Sequence, residues 1–152
     1  MYSTTVTRHI AASPAKVYRA LLDAGAVQAW RVPDGMTSEV HVFEPREGGA
    51  YRISLTYDDH AATGKSAGRT DTYHGRFVEL VPDRLVREVT EFETDNPDLQ
   101  GEMHMTTTLT QIGTGTDVTI AHDGIPDIVP PADNELGTRM SLDKLAALVE
   151  AR

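Results

Sequence analysis

Phe43-Glu44-Pro45-Arg46-Glu47-Gly48-Gly49-Ala50-Tyr51-Arg52-Ile53 is the stretch on which the reading of the fold turns. Apolar runs that suit strands flank a proline and a glycine pair. Proline fixes φ and offers no N–H to a sheet ladder, and glycine tolerates positive φ. The segment therefore predicts strand, sharp turn, strand, over about 38–43 and 50–57.

Working towards the N-terminus, residues 3–10 are rich in β-formers (Thr4, Thr5, Val6, Thr7, Ile10) and predict a strand. Ser13-Pro14 then sets a helix start, since serine caps well and proline suits the first helical position. Val17, Ala20, Leu21 and Ala24 follow at helical spacing, with Gly25 as the expected terminator and a second short helix over 26–30.

Towards the C-terminus, residues 58–72 read DDHAATGKSAGRTDT, either a long loop or a loop that merges into the next strand. Strands at 73–81 and 84–92 form a hairpin around Pro82-Asp83, with a two-residue connection or a slightly longer one. Strands at 102–112 and 116–122 join through Gly113-Thr114-Gly115. Pro126, Pro130 and Pro131 mark an extended link into a helix over 132–150, on which Leu142, Leu145, Leu148 and Val149 make an apolar stripe with Leu136 and Met140 above it. Short turns between strands favour an antiparallel sheet, and the last helix carries the stripe to cover one face.

The chain has 152 residues and a net charge of -9, with 39% hydrophobic content. These values suit one domain, residues 1–152, with a sizeable core. The acidic balance disfavours nucleic acid and anionic membrane surfaces as partners. The absence of cysteine excludes disulfides and thiolate chemistry and fits a cytoplasmic location. The N-terminus MYSTTVTRHI shows no signal-peptide pattern, and no apolar run approaches the ~20 residues of a membrane span.

The order and spacing of several pieces together resemble the START-like (SRPBCC) superfamily, and within it the family named after the C-terminal domain of the activator of heat-shock protein 90 ATPase. The pieces are Ile10-Ala11-Ala12-Ser13-Pro14 with Val17, Ala20, Leu21 and Asp23; Trp30; Phe43-Glu44-Pro45-Arg46 with Gly48-Gly49 and Tyr51; Gly75-Arg76-Phe77 with Glu79 and Pro82; Arg84-Leu85-Val86; and Ser141-Leu142-Asp143-Lys144-Leu145. The resemblance implies an α+β helix-grip fold, a curved antiparallel sheet wrapped around a long C-terminal helix. It also implies a cavity for an apolar ligand in many members. Two departures stand out. Aromatics common on the strand after the Pro-Asp turn are replaced at Arg87, Val89 and Glu91, and a Gly-Trp pair common on the last helix reads Gly137-Thr138. Both imply a wider, more polar pocket.

With a two-residue turn at Pro82-Asp83, Leu80 faces Leu85, Val78 faces Arg87, Arg76 faces Val89 and His74 faces Glu91. The other side of the hairpin carries Tyr73, Gly75, Phe77, Glu79 and Val81 with Arg84, Val86, Glu88, Thr90 and Phe92. Both faces mix apolar and charged residues, so alternation does not choose between them, and a one-residue change in the turn alters the pairings. The resemblance favours the first set as pocket-facing. There His74, Arg76, Arg87 and Glu91 would form a buried network or hold a polar ligand group; the alternative is a solvated set of cross-strand salt bridges.

The expected ligand-binding residues are Arg76, Arg87, Val89, Glu91, Met103, Met105, Leu109, Ile120, His122, Thr138 and Leu142. His122 shares parity with Val118 and Ile120, and a lone histidine on an apolar face is more often a hydrogen-bonded core residue. His74 and Glu91 are the candidate acid–base pair should the chain be an enzyme of the cyclase or dehydratase kind. Asp58, Asp59, His60 and Asp71 match no metal-loop spacing, so no metal or cofactor is expected. The expected partner is a small hydrophobic or amphipathic molecule; a homodimer is compatible with a domain of this size. A protein-interaction role ranks last, because the extra N-terminal domain of the full co-chaperone is not visible in the sequence.

Overall fold

The computed structural model describes residues 1–58 and 70–151. Seven strands, β1 (Tyr2–Ile10), β2 (Met36–Phe43), β3 (Ala50–Tyr57), β4 (Thr70–Val81), β5 (Leu85–Phe92), β6 (Met103–Ile112) and β7 (Gly115–Ile125), form one antiparallel sheet in the order β1-β7-β6-β5-β4-β3-β2. Between β1 and β2 lie α1 (Pro14–Leu21) and α2 (Ala24–Trp30), and the chain ends in α3 (Pro131–Glu150). The curved sheet and terminal helix make the α+β helix-grip fold that the family resemblance implies. Those parts of the 58–72 loop that fall on residues 59–69 lie outside the described residues.

The deciding turn is held by its glycines. Gly48 has φ +79°, and a Cβ on Gly49 would lie 2.1 Å from the Glu44 carbonyl oxygen, so no other residue fits there. The turn is also stitched to β4: Gly48 N donates to the Phe77 carbonyl at 2.8 Å and Phe77 N donates to the Gly49 carbonyl at 2.9 Å. This fixes the β3–β4 alignment that the pocket depends on.

Ser13 caps α1 by accepting from Lys16 N at 3.2 Å. Gly25 does not end that helix, as the helical spacing had suggested. Asp23 accepts from Ala26 N at 2.8 Å and starts α2, which contains Gly25. A short polar cap thus outweighs the glycine as the boundary signal.

The β4–β5 hairpin has a three-residue connection, Pro82 to Arg84, with Asp83 at φ +65°. Near the tip Val81 pairs with Leu85, Leu80 with Val86 and Glu79 with Arg87, one residue off the expected register. A bulge at Val78, between the pairs at Phe77 and Glu79, then absorbs the extra residue. Beyond it Arg76 pairs with Val89 and His74 with Glu91, as the two-residue turn predicts.

The core lies between the sheet and α3. Leu142, Leu145, Ala146 and Val149 of α3 pack with Ile10, Val17, Leu21, Val27, Phe77, Leu109 and Val118, all buried. Their burial is the main source of the fold's stability.

Candidate functional site

The inner face of the hairpin is the second of the two candidate sets. Tyr73, Gly75, Phe77, Val86, Glu88 and Thr90 turn towards α3, and Arg76, Arg87 and Glu91 with His74 turn outward. That corrects the expectation from the family resemblance. Their side chains are 54%, 47%, 39% and 44% exposed. They form the solvated alternative: Arg76 with Glu102 at 3.2 Å, Arg87 with Glu79 at 2.9 Å, His74 Nε2 with Glu91 at 3.0 Å and His74 Nδ1 with Glu93 at 3.1 Å. Three charged side chains and an imidazole are far less costly in water than inside a cavity, and this decides the face. His74 and Glu91 are close enough to exchange a proton but front bulk solvent rather than a pocket. Val89 shares their parity; it is buried, but outside the core cluster beneath α3.

On the inner side, the N-terminal half of α3 stands off the sheet and leaves a cavity of about 630 Å³. Its walls come from the end of α2 (Trp30, Arg31), from β4 and β5 (Asp71, Tyr73, Thr90, Phe92), from β6 and β7 (Met103, Met105, Ile120, His122, Ile125) and from α3 (Asn134, Leu136, Thr138, Met140, Ser141). Ile128 and Leu136 are exposed at the rim. Of the expected ligand-binding residues, Met103, Met105, Ile120, His122 and Thr138 line this space. Leu109 and Leu142 do not: both are buried in the hydrophobic core cluster.

The polar anchor of the cavity is Arg31, which the sequence reading did not single out. Its side chain is 14% exposed and its Nη1 donates to Glu88 Oε1 at 2.7 Å, with Glu88 only 3% exposed. The guanidinium lies over the rings of Tyr51 and Tyr73, 5.1 and 5.4 Å from their centroids, and Nη2 donates to Tyr51 Oη at 3.5 Å. Burial alone pulls the Arg31 pKa down, but Glu88 and the two phenols together hold it well above the usual arginine value. Burial and the nearby Glu88 charge raise the Tyr51 phenol, and burial raises that of Tyr73, so both stay protonated at neutral pH. One signal for this pair was present: Glu88 is a carboxylate in a run of alternating positions, Val86 and Thr90, on the face that carries Tyr73 and Phe77.

His122 is half-buried and lines the cavity. Thr4 Oγ1 donates to Asn134 Oδ1 at 2.6 Å, which turns the amide nitrogen of Asn134 towards His122 Nδ1 at 3.5 Å. The imidazole proton therefore sits on Nε2. Burial, and next the positive charge of Arg31, lower the His122 pKa to about 4 against a small opposing effect of Asp123, so the ring is neutral at pH 7.

Asp58 accepts from Thr37 Oγ1 at 2.8 Å, and Asp71 is buried on the cavity wall. The other two residues weighed as metal ligands, Asp59 and His60, lie outside the described residues. No group of three metal-ligating side chains gathers among the described residues, and none of their helices is long and apolar enough to cross a membrane.

Comparison with known proteins places this geometry in a family. Residues 11–150 match the model described as "Activator of Hsp90 ATPase homolog 1-like protein". Among solved structures, protein CV1439 from Chromobacterium violaceum is 36% identical, with a TM-score of 0.88 over 99% of each chain. A Rhodobacter sphaeroides protein is 24% identical with a TM-score of 0.80, covering 98% of this chain and 92% of that one. Protein Ms6760 from Mycobacterium smegmatis is 16% identical with a TM-score of 0.79, covering 99% and 92%. The last two speak to the fold alone. No curated protein matched the chain.

Proposed function

The chain belongs to the Activator of Hsp90 ATPase homolog 1-like family, and on that premise we propose that it binds a small, partly apolar organic molecule between the sheet and α3. The observation that carries this reading is the space of about 630 Å³ beside Thr138, within the range of sites for small molecules. Four of the five methionines, Met36, Met103, Met105 and Met140, line it. Methionine adapts to irregular occupants, as a cavity that receives a ligand requires. Trp30, Tyr57 and Phe92 add aromatic wall, and the polar groups are few and convergent. Lack of cysteine suits such a role in a reducing cytoplasm.

Trp30 supplies the test. It is the single tryptophan, it lies on the cavity wall, and its Nε1 donates to the Ala20 carbonyl at 3.1 Å, so the ring is held in place. Titration with the uncharged fluorophore N-phenyl-1-naphthylamine should quench Trp30 emission by energy transfer, saturably and at micromolar concentration. Emission that stays linear with added fluorophore, with no saturation, would count against a ligand cavity. An acid–base reaction through His74 and Glu91 has no such support, because both residues face solvent on the far side of the sheet.

A further inference from the structure

We infer that the ligand meets the inner end of this cavity with an uncharged oxygen acceptor, such as a ketone, ester or amide carbonyl, and that carboxylates are excluded. The inference rests on the ligand-binding reading above and names the class of ligand.

The groups offered at that end are donors without spare charge. Arg31 lines the cavity, but its charge is taken by Glu88, which lies behind it at 2.7 Å and is almost fully buried. His122 is neutral, its Nδ1 faces the Asn134 amide and its Nε2–H is left to donate. Lys144 is committed to the Val32 carbonyl at 2.7 Å and to Asp34 at 3.2 Å. The described lining residues hold one cation, Arg31, and three carboxylates, Asp34, Asp71 and Asp133, of which Asp34 is paired with Lys144. A carboxylate moved from water to this place would lose its hydration and find no unpaired positive charge among the described lining residues, which makes its burial costly. A carbonyl loses much less hydration and gains donors already in position. An ammonium head group would meet Arg31, and the faces of Tyr51 and Tyr73 that could hold a cation already hold that guanidinium.

The test uses three probes with one body: 2-acetylnaphthalene, 2-naphthoate and 2-naphthylmethylammonium. They are titrated at pH 7 into protein labelled at the methionine methyl groups, with Met36, Met103, Met105 and Met140 as reporters on the cavity wall. The ketone should shift these signals with a Kd about tenfold or more below that of the carboxylate, and below that of the ammonium. Equal or tighter binding of the carboxylate overturns the inference while leaving the cavity a binding site. Tighter binding of the ammonium also overturns it, and moves the polar contact to the aspartates. If no probe shifts any methyl signal, the binding reading falls and this one with it. Glu88→Gln releases the charge of Arg31 and should narrow or reverse the gap between ketone and carboxylate. A folded variant with the gap unchanged contradicts the role given to Glu88; should the variant not fold, the ranking in the unaltered protein decides.

Discussion

A largely buried imidazole beside a guanidinium resists protonation twice over, through lost hydration and through like charge. His122 is in that position, with its pKa lowered to about 4 by burial first and Arg31 second. In the unfolded chain a histidine titrates near ~6.5. Between those two values the unfolded state holds a proton that the native state lacks. The contribution is thus intact above pH ~6.5 and is lost as the pH falls towards 4, up to on the order of 3 kcal/mol. Urea melts at pH 7 and pH 4.5 should record that loss, and His122→Gln, which keeps a polar cavity group without a titrating one, should remove most of it. An equal acid loss in His122→Gln would assign the effect elsewhere. The outer carboxylate Glu93 acts in the same direction: hydrogen bonding to Arg52 lowers its pKa, so some acid sensitivity will remain in the variant.

At the scale of the element, α3 has two unlike halves. Leu142, Leu145, Ala146 and Val149 are buried, whereas Leu136, Thr138 and Met140 front the cavity. Thr138 is small there and its hydroxyl only bonds back to the Asn134 carbonyl at 2.9 Å. Thr138→Trp should therefore fill the space without straining the core. Probe affinity is expected to fall by about tenfold or more while stability to urea changes by less than ~1 kcal/mol. Undiminished probe binding with unchanged stability would place the ligand elsewhere. Much of this layout was legible in the sequence, because caps, turn glycines and apolar spacing are local signals. The deciding turn at Gly48-Gly49 and the cap at Ser13 are of that kind. The face of the β4–β5 hairpin was not, since strict alternation gives two mixed faces and only the solvation of Arg76, Arg87 and Glu91 chooses between them. The pairing of His74 with Glu91 was legible only because two departures cancel: a longer turn at Arg84 and a bulge at Val78. Arg31 stayed hidden because it follows a helix of seven residues, and its inward path depends on Glu88 waiting across the chain.

For the whole molecule, the consequence is a domain whose stability is unevenly spread. The sheet is continuous from β1 to β2, and the core cluster fills the end where α1, α2 and the last turns of α3 meet it. The other end is held open by the cavity. Pro130 precedes α3 with no side-chain cap, the buried residues of α3 begin only at Ser141, and the first turns are anchored by the hydrogen bond from Thr4 to Asn134. Local opening there costs less than global unfolding, because it uncovers little that was buried. In hydrogen exchange, amides of residues 135–140 should accordingly exchange at least about tenfold faster than those of 142–149. Opening those turns also takes apart the cavity wall formed by Leu136, Thr138 and Met140. A bound molecule must then oppose it by mass action. At N-phenyl-1-naphthylamine concentrations near 100 times its Kd, exchange over 135–140 should slow by about a hundredfold. Uniform protection along α3 in the free protein would deny the division of the fold into a packed end and an open one. Faster exchange over 135–140 that the fluorophore leaves unchanged would instead uncouple that half of the helix from ligand binding.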